Sequence, residues 1–268
     1  MTVVPAQGPT LFIWPEAIEL GASVAVTQRH GGVSEGPYDS LNLGLHVGDD
    51  SARVLANRDT AADTFGVSLA HVVFAEQVHG ADVAFVGPPD AGRGSRSMDD
   101  AIPSTDILVT TSAEVALIML VADCVPLALI DPEARVMAVV HAGWRGTAAG
   151  AVARALGAMA EAGGRTDRVV AFMGPAVQAD RYQVDDVVHR ALTGAIAPHP
   201  LEPHVAVRQD PGHWHVDLIA ANRQQLVLAG VPPAQIFDSG TSTADDDYFS
   251  DRAARPCGRF GLLAQLRT

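Results

Sequence analysis

Three short segments combine metal-binding or basic side chains with the small residues that let a backbone approach a ligand. They read Gln77-Val78-His79-Gly80, Ala122-Asp123-Cys124-Val125-Pro126 and His141-Ala142-Gly143-Trp144-Arg145-Gly146-Thr147. Each follows an apolar run and ends in a polar turn, so each presents its functional group from the end of a rigid element. Together His79, Cys124 and His141 supply one thiolate and two imidazoles. Zn²⁺ takes that donor mix, and catalytic zinc sites keep three protein ligands and one open position. The three lie far apart in the chain, with no CxxC or HExxH spacing to single out a metal. The same residues suit a nucleophilic Cys124 with His79 or His141 as base and Asp123 as orienter. A strand-end His or Cys kept only for structure is the third reading.

Cations and polar loops surround these segments in the sequence. Gly143 and Gly146 permit close backbone approach, the following helix offers free N–H groups, and Arg145 offers a bidentate contact to phosphate or carboxylate. A tight strand-to-helix turn with Trp144 in the core explains the same residues. The long loop His30–Asp50 carries alternating Leu41, Leu43 and Leu45, which argue for order. Arg29, Asn42 and His46 are its candidate substrate contacts, against the plainer reading that they satisfy backbone groups. Arg58 is a buried phosphate ligand or an exposed helix residue. Tyr248 and Phe249 read as core, and Cys257 as a free, non-catalytic thiol. His199, His204, His213 and His215 are irregularly spaced in or near a Pro-rich stretch and read as solvated surface.

Mixed strands and helices must position these groups. Leu11–Trp14 and Ser23–Thr27 read as strands, then Ser51–Thr64 as a helix capped by Asp49, Asp50 or Ser51. His71–Glu76 and Asp82–Val86 read as paired strands around His79, with Pro88–Pro103 a surface loop. Ile107–Thr110, Val115–Val121, Leu127–Ile130 and Val136–Val140 are near-continuously apolar, which predicts strands covered on both faces. Thr147–Ala162 reads as one helix closed by Gly163-Gly164. Val169–Met173 and Ile236–Asp238 read as strands, Asp185–Ile196 and Asp217–Ala229 as helices, and Pro198–His213 as irregular. No composition shift marks a boundary, so residues 1–268 read as a single domain.

Composition excludes several classes. The 268 residues carry a formal net charge of −13, against a general nucleic-acid binder, which needs clustered Lys and Arg. Two cysteines do not make a disulfide scaffold and point to a reducing compartment. The beginning of the chain lacks a basic region followed by an apolar run. The longest apolar run, Val115–Ala122, is too short to span a bilayer. A cytoplasmic location with no membrane partner is the expectation.

The three segments, together with Arg29-His30-Gly31-Gly32-Val33-Ser34, Leu41-Asn42-Leu43-Gly44 with His46 and Gly48-Asp49, Met173-Gly174-Pro175-Ala176 and Phe249-Ser250-Asp251-Arg252, resemble the laccase-domain family. That family is also called the peptidoglycan editing factor or polyphenol oxidase family, and the resemblance covers nearly the whole chain. It implies an α+β fold in four layers, α/β/β/α, with mixed sheets, and zinc held at positions matching His79, Cys124 and His141. It implies phosphorolysis of adenosine, inosine, guanosine and methylthioadenosine, together with deamination of adenosine. Purine nucleosides and phosphate are then the small-molecule partners. Cys124, Asp123 and His46 become the candidate catalytic groups, with Asp123 a supporting group or proton carrier. Arg29, Arg58 and Arg145 become candidates for phosphate, and Asn42 and His46 for ribose or base. Two other chemistries stay open: a cysteine-dependent hydrolase editing peptidoglycan precursors, and the copper-dependent polyphenol oxidase of older labels. The sequence departs from many members at Gln178-Ala179-Asp180-Arg181 and at Gly240-Thr241, where those members carry cysteine.

Overall fold

A computed structural model of the protein describes residues 8–268. The expectation about a secretory leader, and the first residues of the 1–268 domain reading, concern residues 1–7 and lie outside the described residues. The strands are β1 Leu11–Ile13, β2 Ala22–Thr27, β3 Val72–Val73, β4 Val83–Phe85, β5 Ile107–Thr110, β6 Ala116–Val121, β7 Val125–Asp131, β8 Val136–Ala142, β9 Val170–Met173, β10 Gln183–Asp185, β11 Ala206–Asp210, β12 His213–Val216, β13 Ile236–Asp238 and β14 Phe260–Leu266. The helices are α1 Ser51–Phe65, α2 Trp144–Ala148, α3 Ala151–Glu161, α4 Asp186–Ala195 and α5 Leu218–Leu228. Sheet order is β1-β2-β14-β6-β3 in one sheet and β13-β9-β7-β8-β5-β4 in the second, with β10-β12-β11 a small third.

Side-chain alternation explains the layers, because successive residues of a strand face opposite sides. Along β8, Val136, Ala138 and Val140 join the cluster that includes Val152, Leu156 and Met159 of α3. Met137 and Val139, between them, face the opposite way into a cluster shared with Leu117, Met119 and Val121 of β6. The alternate β6 residues Ala116, Ile118 and Leu120 pack with Ala61 and Ala62 of α1. The order is therefore α1, first sheet, second sheet, then α3 and α5, the α/β/β/α arrangement the resemblance implies. Every residue of β6, β7 and β8 is buried, as their continuous apolar runs require.

Local structure corrects three expectations. The segments on either side of His79 do not pair. β3 joins the first sheet and β4 the second, so the His79 turn crosses between sheets. The helix expected over Thr147–Ala162 is two helices, because Gly150 takes a left-handed φ of 77° and interrupts the ladder. Pro198–His213 contains β11 and the start of β12. The tail continues into β14, which pairs with both β2 and β6 at the centre of the first sheet. The helix caps are as expected in kind: the Asp50 carboxylate accepts from the amides of Ala52 and Arg53, and that of Asp217 from the amide of Ala220. Among the described residues, no helix is long and apolar enough to cross a membrane.

Candidate metal centre and active site

The links between the two large sheets gather the three candidate ligands. His79 sits on the β3–β4 crossing and Cys124 on the β6–β7 crossing, which likewise runs from the first sheet to the second. His141 is the penultimate residue of β8, and its parity puts it on the inner face with Met137 and Val139. The ligand atoms of His79, Cys124 and His141 all lie within 4.8 Å of one another, the one such group of His, Cys, Asp or Glu among the described residues.

One buried carboxylate organises two of the three. Asp106, fully buried just before β5, accepts the His141 ring nitrogen Nδ1 at 2.7 Å. It also accepts the amides of Val78 (3.2 Å), His79 (3.0 Å) and Gly80 (2.7 Å). Holding Nδ1 leaves Nε2 of His141 to face the centre, the carboxylate–histidine pairing typical of metal sites. His79 itself has a left-handed φ of 61°, a conformation those three amide contacts sustain. The preceding Gln77 docks on β6 by exchanging two 2.8 Å hydrogen bonds with the backbone of Leu120.

The donor set fits a metal. Burial pushes the Cys124 thiol up, but the adjacent His141 and His79 rings outweigh it and hold the thiol below its ordinary range. Burial likewise opposes charge on His141, yet Cys124 and Asp106 raise it. Gly143 leaves the room: a Cβ there would stand 2.7 Å from Cys124 Sγ. A borderline-soft ion such as zinc takes one thiolate and two imidazoles readily.

A pocket of about 540 Å³ opens over this trio, bounded among others by His46, Gln77, Trp144, Arg145, Tyr182, Arg252, Arg255 and Arg259. His46 is held down to about 4, by burial first and then by the cations of Arg259 and Arg58, so its ring is neutral near pH 7. Arg145 lies over the Trp144 ring, with Cζ 4.5 Å from the centroid.

The other expected substrate contacts are elsewhere. Arg29 donates from Nε and Nη2 to the Asp39 carbonyl, packs over Phe249, and lines a separate pocket. Asn42 is buried. Its Oδ1 accepts the amides of Gly44 and Arg259, and its Nδ2 donates to Asp49. Arg58 is not exposed. It is buried 4.0 Å over the Phe74 ring and donates to the carbonyls of Leu43, Gly94 and Ser95. Asp123, expected as a supporting group or proton carrier, is hydrogen-bonded to two later segments of the chain. Its carboxylate accepts the Thr243 hydroxyl (2.6 Å), the Ser250 hydroxyl (2.7 Å) and the Arg252 amide (2.6 Å).

Tyr248 and Phe249 lie in the inter-sheet core, as expected. His199, His204 and His213 are exposed and His215 is half-buried, and they form no ligand cluster. Cys257 is buried and, like Cys124, free. Asp106, Tyr182 and Arg252 were not singled out from sequence. Only Arg252 had a visible signal, its place in the Phe249–Arg252 motif.

The layered fold thus carries one thiol–imidazole group beneath a polar pocket. Residues 23–267 match the family model described as multi-copper polyphenol oxidoreductase laccase, and the chain belongs to that family. It is 40% identical over 239 residues to a protein named purine nucleoside phosphorylase YlmD from Geobacillus stearothermophilus, covering 88% of this chain and 86% of that one. It is 42% identical over 240 residues to a purine nucleoside phosphorylase of Streptomyces coelicolor, covering 89% and 93%. Among solved structures, the hypothetical protein YfiH of Bacillus licheniformis superposes with a TM-score of 0.92 at 32% identity, over 97% of this chain and 98% of that one. The G. stearothermophilus YlmD structure gives 0.89 at 37%, over 92% and 93%.

Proposed function

We propose that the chain is a zinc-dependent, cytoplasmic purine nucleoside phosphorylase that also deaminates adenosine. The observation that carries this reading is the convergence of His79, Cys124 and His141 beneath a pocket with an arginine rim, in a chain whose relatives over nearly full length bear the phosphorylase name. In phosphorolysis a phosphate oxygen bonds to C1′ of the ribose. The C1′–N9 bond breaks, its electron pair goes to the purine, and the proton of the phosphate ends on the base. Adenosine and hydrogen phosphate thus give adenine and ribose 1-phosphate. Deamination exchanges the adenosine amino group for the oxygen of water, giving inosine and ammonia.

His79, Cys124 and His141 would hold the zinc, which supplies Lewis acidity and a lowered pKa for bound water. The protein's own groups do the rest. Asp106 fixes the His141 ring and the His79 turn in advance, so ligand orientation is set before substrate arrives. Arg145, over the Trp144 ring, offers N–H groups to the phosphate. Neutral His46 offers the sugar one donor and one acceptor without a charge that would repel a developing ribosyl cation.

The test is to incubate zinc-loaded protein with adenosine and phosphate and to separate adenine, ribose 1-phosphate and inosine. Absence of all three sinks the reading. One observation favours a second chemistry: with its thiol lowered by two imidazoles, Cys124 resembles a hydrolase nucleophile. Stoichiometric zinc on Cys124, measured by metal analysis and thiol titration, excludes that alternative.

A further inference from the structure

Four arginines border the pocket, and they are not equivalent. Arg255 and Arg259 both reach the Asp251 carboxylate, at 2.5 and 3.5 Å, and Arg259 also donates to the carbonyls of Cys257 and Gly258. Among the described residues, the guanidinium groups of Arg145 and Arg252 make neither an ion pair nor a hydrogen bond. Both are instead laid on aromatic rings, Arg145 over Trp144 at 4.5 Å and Arg252 over Tyr182 at 5.0 Å. Stacking fixes a planar guanidinium by its face and leaves its N–H edges free, the geometry that grips a tetrahedral oxyanion. Arg145, Arg252 and the two rings beneath them, Trp144 and Tyr182, all line the same pocket.

The Arg252 side is held by the residue next to a metal ligand. The Asp123 carboxylate takes the Arg252 amide and the Ser250 hydroxyl, and Asp123 has a left-handed φ of 89° that directs it to them. Arg145 stands in the first turn of α2, just past the end of β8. We infer that Arg145 and Arg252 are the two jaws of a clamp for inorganic phosphate, with Asp123 the positioning residue that ties the Arg252 jaw to the metal centre. The inference rests on the phosphorylase reading and deepens it. It moves the phosphate site away from Arg29 and Arg58 and adds a residue, Arg252, beside Arg145.

The experiment is steady-state phosphorolysis by the zinc-loaded protein, with phosphate and adenosine varied separately. Arg252→Met and Arg145→Met each raise KM for phosphate about 10- to 100-fold, the loss of one charge-assisted contact, while KM for adenosine moves less than about twofold. Arg252→Lys, which keeps charge without the fork, recovers only part of the loss. Asp123→Asn raises KM for phosphate in the same selective way, whereas a merely structural role would lower kcat and stability without that split. Arg255→Met, already paired to Asp251, changes it less than about threefold; an effect equal to that of Arg252→Met overturns the clamp in favour of a diffuse positive field. Unchanged KM for phosphate in Arg252→Met also overturns it. If that variant keeps its KM for phosphate but loses inhibition by adenosine 5′-monophosphate, the jaws hold a nucleotide's phosphate, and the assignment to the free co-substrate is overturned. If the wild-type protein makes no ribose 1-phosphate, the functional reading fails separately, and calorimetric titration with phosphate judges the clamp. Binding lost in Arg252→Met supports it, and no binding to the wild type overturns it.

Discussion

Gly143 and Asp106 both constrain the group formed by His79, Cys124 and His141. At Gly143, any side chain would begin 2.7 Å from Cys124 Sγ, closer than real Cβ contacts, with sheet-anchored backbone on both sides. Gly143→Ala is therefore expected to displace the thiol and to reduce bound zinc well below one ion per chain, read by metal analysis on folded protein. Asp106→Ala removes the partner of the His141 ring and of three amides around His79. Loss of such a supporting contact costs about 10- to 100-fold in metal affinity, measurable by chelator competition. The grouping of His79, Cys124 and His141 was legible through the family resemblance, while their polar turns alone left metal, nucleophile and structural readings open. Asp106 was not, since a lone Asp before a strand looks like any turn residue until folding brings His79 and His141 to it. The burial of Arg58 was not legible, because its three acceptors are backbone carbonyls, and those leave no trace in side-chain identity.

Elements carry the next level of constraint. Where apolar runs were continuous, as in β6, β7 and β8, sequence gave type and approximate bounds directly. It did not give pairing. Nothing local says that β3 and β4 belong to different sheets, yet that crossing is what delivers His79 to Cys124. β14 escaped because its role depends on partners more than 100 residues earlier. Between the sheets, Phe172 of β9 is buried against Trp14, with ring centroids 5.3 Å apart. Phe172→Ala is expected to cost about 3–5 kcal/mol in denaturant unfolding, from lost burial and the cavity left between two rigid sheets. At the far end of β7, Asp131 is pushed up by burial. The amides of Ala134 and Arg165 and the guanidinium of Arg168 outweigh that and hold it below the usual carboxylate range. Its folded pKa is thus lower than its unfolded one. The stability it contributes is complete above about pH 4 and is lost as pH falls through the folded value. Asp131→Asn is expected to lower stability near neutrality and to flatten the acid-side decline, followed by thermal melts across pH.

At the scale of the molecule, an acidic chain with net charge −13 places Arg145, Arg252, Arg255 and Arg259 on one pocket. Such a local field inside an acidic shell is compatible with small-anion binding and poorly suited to nucleic acid. The two large sheets supply a rigid frame, and the centre lies at one end of it, on the links that join them. The family description speaks of several coppers, but the described residues bring together a single ligand group, of the kind one zinc ion takes. The most direct measurement is therefore a phosphate-dependent product assay on one preparation in three states: zinc-loaded, chelated, and reloaded with zinc or with copper. Zinc-loaded protein should convert adenosine to adenine and ribose 1-phosphate, lose that activity on chelation, and regain it with zinc. Zinc-replete protein that forms no ribose 1-phosphate, or activity that returns with copper alone, would contradict the assignment.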